Sequence, residues 1–210
     1  MQNREFEHLL EEAYGSAWRH YLDQESWEHL YYNDVLSVSQ KPHATGVNVI
    51  IAELLIKRSS SEIQEYLYNM ENWKEWHKQY KKSKVLEELH HSSKILYFCT
   101  RHISYLRGRE LILASKKFAV KDHKFVIFTS VNYENAPGIF YKVRGWCYFF
   151  FFIIKQLNSV ASTVTFLCQY DPRGVRINSF SEKITKKFVE NLLELKKVLE
   201  KDHSPISLSF

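Results

Sequence analysis

Glycine and proline are scarce in this chain, six and four among 210 residues. So few breakers exclude collagen-like and low-complexity sequence and imply long elements joined by short turns. Cysteine is scarce as well. Cys99, Cys147 and Cys168 are odd in number and each lies in an apolar, strand-like stretch, which excludes a disulfide framework and fits buried free thiols in a reducing compartment. No stretch reaches the roughly 20 apolar residues that a membrane-spanning helix needs. The most apolar run, VRGWCYFFFFII at 143–154, contains Arg144 and is followed by Lys155. The N-terminus, MQNREFEHLLEEAYG, is charged and amphipathic rather than a charged start before an apolar core, so it does not read as a secretory signal and a cytoplasmic protein is expected.

The usual marks of catalysis are missing too. No GxGxxG follows a strand, no phosphate-cradling Walker loop is present, and no serine sits in a GxSxG elbow. The ten histidines are scattered apart from His90 and His91, with no two-histidine helical spacing and no cysteine pairs at ligand distance, so neither a metal site nor a cofactor is expected. A Cys/His dyad assembled only by the fold leaves no trace in sequence, but Cys147 and Cys168 are better explained as core. The net charge of +5 comes without a run of five or more basic residues, which argues against a nucleic-acid arm and for contact with an anionic membrane surface.

What the chain has is apolar and aromatic bulk, 45% and 15% of residues, enough to exclude a disordered chain. Its length suits one domain with a sizeable core. Phe6, Leu9, Leu10, Ala13, Ala17 and Tyr21 recur at helical spacing over residues 4–22. Strands are expected at 27–38 and 47–57, joined by the turn PHATG, followed by a helix capped by Ser59–Ser61 and running to Tyr68. The aromatic and basic segment 72–83 reads as a helix end passing into a loop. Strand-like blocks follow at 84–89, 94–102, 110–120 and 125–133, then the aromatic run and 159–170, ended by the turn DPRG. A last helix over 181–201 carries Ile184, Phe188, Leu192, Leu195 and Leu199 on one stripe. The plan is α+β, a run of antiparallel strands wrapped on a terminal helix.

Four consecutive phenylalanines, Phe149 to Phe152, cannot form a half-solvated strand, because alternate side chains would then face water. Both faces must be covered, either as a buried central strand or with one face lining an apolar cavity. Four charges also sit in apolar surroundings: Glu53, Arg109, Glu110 and Arg144. Buried charges cost several kcal/mol unless paired, so each is either paired within the protein or serves a ligand's polar group. Glu53 shares its strand face with Val47, Val49, Ile51 and Leu55, as an acid within an apolar wall or as a solvent-facing position.

Several segments resemble the START family, the steroidogenic-acute-regulatory-related lipid-transfer domains. They are SEIQEYLYNMENWKEWHKQYKKSKVLEEL at 61–89, RGRELILASKKF at 107–118, YKVRGWCYFF at 141–150, and TVTFLCQYDPRG followed by SFSEKITKKFVENLLELKKVLE. Their order covers essentially the whole chain. The resemblance implies a helix-grip fold, a curved antiparallel sheet around the C-terminal helix enclosing an apolar tunnel for one lipid. It implies lipid binding and intermembrane transfer, a glycerophospholipid being favoured over a sterol, with Arg109 meeting the headgroup phosphate beside Glu110. Strand parity then puts Tyr97, Trp146, Phe149, Phe151 and Gln169 on the tunnel wall, with Phe188, Leu192 and Leu195 covering it from the helix. Phe150 and Phe152 face outward on this expectation, covered by the N-terminal helix. Lys183, Lys186 and Lys187 are expected to meet anionic headgroups, with an ordinary solvated face as the alternative. Alternative functions are a module that senses a hydrophobic ligand without moving it and, from related folds, a cyclase or hydrolase using Glu53.

Overall fold

The computed structural model describes residues 2–23, 25–90, 92–102, 107–137, 142–174 and 182–201. Helix α1 spans Gln2–Leu22, as its apolar spacing requires, and is followed by strands β1 (Glu28–Tyr32), β2 (Leu36–Lys41) and β3 (Val49–Ile56). The single strand expected at 27–38 is therefore two. The side-chain oxygen of Asn33 accepts from the backbone N–H of Val35 and Leu36 at 2.9 and 2.8 Å, an Asx turn that folds the chain back on itself.

Helix α2 (Ser60–Tyr68) is capped by the Ser59 hydroxyl, which accepts from the Glu62 amide. A 3-10 turn, Met70–Glu75, leads to strand β4 (Tyr80–Glu88). Most of what reads in sequence as a loop at 72–83 is thus ordered backbone. The antiparallel run continues through β5 (Ser93–Thr100), β6 (Arg109–Val120), β7 (His123–Ser130), β9 (Trp146–Asn158) and β10 (Ala161–Asp171), and α3 spans Glu182–Lys201. The two-residue strand β8 (Val143–Arg144) pairs in parallel with β6, setting Arg144 opposite Glu110. Gly145 breaks β8 from β9 where a Cβ would fall 2.8 Å from the Tyr170 hydroxyl and 3.2 Å from a Leu111 methyl. Only glycine fits that crossing without displacing Tyr170.

The sheet order is β1-β2-β3-β10-β9-β7-β6-β5-β4, with β8 off the path. The aromatic run lies in β9, flanked by β10 and β7. This is the α+β helix-grip architecture expected. Both faces of the sheet are covered, by different elements. On the inner face Leu96, Phe98, Leu113, Phe128, Phe152, Ile154 and Phe166 pack with α2, the 3-10 turn and α3. On the outer face Phe125, Ile127, Phe149, Phe151 and Ile153 pack with Phe6, Leu10, Ala13 and Ala17 of α1. The small Ala13 and Ala17 let α1 lie close to that aromatic floor, and the Tyr14 ring meets Phe125 and Phe151 edge-on at 6.1 and 5.6 Å.

Helix α3 buries Val189, Leu192, Leu195 and Leu199 on the inner face, a contribution of about 6–12 kcal/mol at roughly 1.5–3 kcal/mol per side chain. Its polar groups fix where it lies. Asn191 accepts from the Lys78 amide at 3.1 Å and donates to the Gln79 side chain at 2.9 Å, just before β4. Lys196 donates to the Leu55 carbonyl at 2.6 Å and Glu200 accepts from the Lys57 amide at 2.8 Å, at the end of β3. One helix thus touches both halves of the sheet, which must curl around it.

Candidate functional site

The apolar layer where α3 packs on the inner face is the candidate site, because its wall is drawn from both halves of the sheet. Its wall is aromatic. Phe152 and Phe166 stack at 4.3 Å, Phe166 stacks on Phe188 of α3 at 5.8 Å, and Phe150 meets Tyr170 at 5.8 Å. Trp73 presents its edge to Phe128 and Phe98. Phe188, Leu192 and Leu195 of the expected set all lie on this side.

The strand members of that set do not. Phe149, Phe151 and Tyr97 pack on the outer face, beneath α1. Gln169 pairs with Phe149 in register, and its amide donates to the Thr45 hydroxyl and the Val47 carbonyl at 2.9 and 3.0 Å. Trp146 lines a cleft of about 590 Å³ together with Glu5 of α1, Tyr133 and Arg173, whose guanidinium lies 5.2 Å over the indole ring. The parity is therefore the reverse of the one expected: Phe150 and Phe152 face α3. Trp146, Phe149 and Phe151 do share a face, because the register slips at Tyr148, where Phe149 pairs with Gln169 but Cys147 pairs with Tyr170. What reverses is which face meets α3, since both faces of β9 are equally apolar and residue type does not orient the strand.

The embedded charges are paired within the protein. Arg109 is 8% exposed, and its guanidinium donates to the carbonyls of Pro172 at 2.7 Å, Arg173 at 3.0 Å and Arg107. It fastens the DPRG turn to the start of β6, with three of its five N–H donors engaged by backbone. Glu110 accepts from Arg144 at 2.9 and 3.2 Å on one oxygen and from the Tyr97 hydroxyl at 2.9 Å on the other. Lys142 donates to that hydroxyl at 3.1 Å, and burial pushes the Tyr97 phenol up to about 12. Glu53 is exposed, accepting from the Thr165 hydroxyl at 3.3 Å. Lys186 is exposed and Lys187 half-buried on α3, while the side chain of Lys183 lies outside the described residues.

Several interior residues escaped the sequence reading. Trp73 and Trp76 are both buried against the inner face, and His77 follows them, its imidazole pushed down to about 4 by burial. Cys147 and Cys168, by contrast, were expected in the core and do lie inside, their thiols raised by desolvation. The signal was available in the W-x-x-W-H spacing, since Trp73 and Trp76 share a face at three residues apart. Among the described residues no cluster of histidine, cysteine and carboxylates could hold a metal, and no helix is long and apolar enough to cross a membrane.

The START domain family model matches residues 7–197. Of the solved structures, human StAR-related lipid transfer protein 5 superposes with a TM-score of 0.81 at 14% identity, over 94% of this chain and 99% of that one. Human STARD10 gives 0.71 at 17% identity, over 84% and 74% of the two chains. A STAR-related lipid transfer protein fragment from Xanthomonas axonopodis gives 0.70 at 14%, over 83% and 99%. At such identities the likeness is one of fold. No curated protein matches the chain.

Proposed function

The chain belongs to the START domain family, and from that premise we propose that it holds one lipid between the inner face of the sheet and α3 and carries it between membranes. The observation that carries the reading is the two-sided clasp of α3, with Asn191 bound beside β4 and Lys196 and Glu200 bound beside β3, over an aromatic wall. A two-chain lipid has roughly 30 methylenes worth about 0.8 kcal/mol each, so it leaves a bilayer readily only into another apolar environment. Loading requires α3 to lift, and the clasp is polar and small enough to be broken and remade. Exposed Lys186 supports a docking role for this helix on an anionic surface, at about 1 kcal/mol per charge near the membrane.

The expected preference for a glycerophospholipid rested on Arg109, whose guanidinium is engaged by three carbonyls. The polar end of the ligand is accordingly sought elsewhere. A cyclase or hydrolase would need an interior acid, and exposed Glu53 offers no support for one. The test is lipid analysis of protein isolated under native conditions, followed by transfer of labelled lipid between donor and acceptor vesicles. The proposal predicts one bound lipid per chain and transfer that rises with protein concentration. Protein that emerges lipid-free and accepts none from vesicles would sink it, and retention without transfer would leave a sensing module instead.

A further inference from the structure

Among the described residues, two polar atoms on the α3 side of the sheet are buried without a hydrogen-bond partner, Nε1 of Trp76 and Nδ1 of His77. Trp76 is 3% exposed. His77 is half-buried as a residue, but its Nδ1 is sealed from solvent. The contrast with Trp73 is direct, since that indole N–H donates to the Leu67 carbonyl at 3.0 Å. Native interiors pair nearly all such groups, and an orphaned one costs about 1–3 kcal/mol. Here two occur on successive residues whose rings are 5.6 Å apart.

We propose that Trp76 and His77 form a polar subsite for the hydroxyl group of a neutral lipid, the indole N–H donating to the hydroxyl oxygen and the hydroxyl proton going to Nδ1 of His77. The inference rests on the lipid-binding reading and narrows it to a ligand class. A hydroxyl is both acceptor and donor, so one group satisfies both atoms. Desolvation keeps His77 neutral near pH 7, and in the tautomer protonated at Nε2 its Nδ1 accepts. The rings around the imidazole, among the described residues, are those of Trp73, Trp76 and Phe98. Asn191 of α3 is committed to Lys78 and Gln79, and the Lys78 ammonium is drawn to Glu190 at 2.9 Å. The positive charge in this set, that of Lys78, is already paired with Glu190 rather than held for a phosphate. A sterol, a diacylglycerol and a ceramide share the required chemistry.

The test incubates the full chain with phosphatidylcholine vesicles containing cholesterol, a diacylglycerol or a ceramide in separate arms, each beside the O-methyl ether of the same lipid. Protein-bound lipid is then measured by mass spectrometry. At least one hydroxyl lipid is expected to be retained about tenfold over its ether, a difference of one good hydrogen bond. His77→Phe should erase that preference, because only the hydroxyl donates to Nδ1. Trp76→Phe should weaken both forms several-fold, because both accept from the indole. Equal retention of hydroxyl and ether forms by the unmodified chain overturns the subsite whether or not the variants fold, as does a preference that survives His77→Phe. Retention of phosphatidylcholine alone overturns the subsite and leaves lipid binding standing. Retention of no lipid at all overturns both.

Discussion

Removing the guanidinium from Arg144 should reveal whether Glu110 is a structural anchor or a ligand group. Glu110 is 2% exposed and Arg144 reaches it through two nitrogens from a strand paired in parallel beside it. In Arg144→Met the carboxylate keeps, among the described residues, the Tyr97 hydroxyl alone. Breaking a buried pair from one side costs about 3–5 kcal/mol, and because the Arg144 side chain is 23% exposed the water it admits should bring the loss to about 2–3 kcal/mol. Glu110→Gln preserves shape and frees an arginine that can turn to solvent, so its loss should be smaller, about 1–2 kcal/mol. The double variant has no uncompensated charge, and its loss should fall short of the sum by about 1.5–2 kcal/mol. Urea unfolding followed by tryptophan fluorescence measures all four corners of this cycle. A coupling below about 0.5 kcal/mol refutes the anchor, the level at which distant sites are already additive. So does a Glu110→Gln protein that remains fully folded yet exchanges its bound lipid for another.

Three further outcomes follow from the same geometry. Phe151→Ala removes a ring stacked on Phe125 at 5.7 Å beneath α1 and should cost about 3–5 kcal/mol without changing the bound lipid, whereas Phe166→Ala, on the α3 side, should change the lipid retained; lipid analysis of the two variants checks the faces. Asn191→Ala removes two of the bonds that hold α3, about 1–3 kcal/mol of local stability; hydrogen exchange in α3 should speed up, and vesicle transfer should rise if opening limits it. His77 has a folded-state pKa of about 4, below its ordinary 6.5, so its contribution is whole above pH 6.5 and is lost as pH falls through 4, at most about 3 kcal/mol. Urea midpoints at pH 7, 5 and 4 should fall less steeply in His77→Phe than in the unmodified chain.

The elements of this fold were legible where one face of an element differs from the other. Helices α1 and α3 announce themselves through Phe6, Leu10, Ala13 and Ala17 and through Leu192, Leu195 and Leu199, because each presents one side to the sheet and one to water. The faces of β9 were not legible for the opposite reason. Phe149 and Phe151 meet α1 while Phe150 and Phe152 meet the other layer, so hydropathy is equal on both and no alternation remains to orient the strand. The slip at Tyr148 then moves Trp146 and Phe149 to one face although they are three apart. The residue types on α1 held the better clue, since Ala13 and Ala17 leave room for large rings opposite.

The polar candidates were conspicuous for a related reason. Arg109, Glu110 and Arg144 stand out in a sequence because charge among apolar residues is conspicuous, yet charge is also what a fold must satisfy most completely before it can be buried. Each of the three duly has its partners in backbone carbonyls or in the others. A group kept for a ligand must instead remain unsatisfied when the ligand is away, and a folded chain tolerates that only where the cost is small. A neutral indole N–H or imidazole nitrogen meets this condition, at about 1–3 kcal/mol, where an unpaired buried guanidinium or carboxylate does not. Trp76 and His77 are therefore the kind of residue to which interior recognition falls in an apolar sleeve, and they read as an unremarkable aromatic loop until the partners of every buried nitrogen are known.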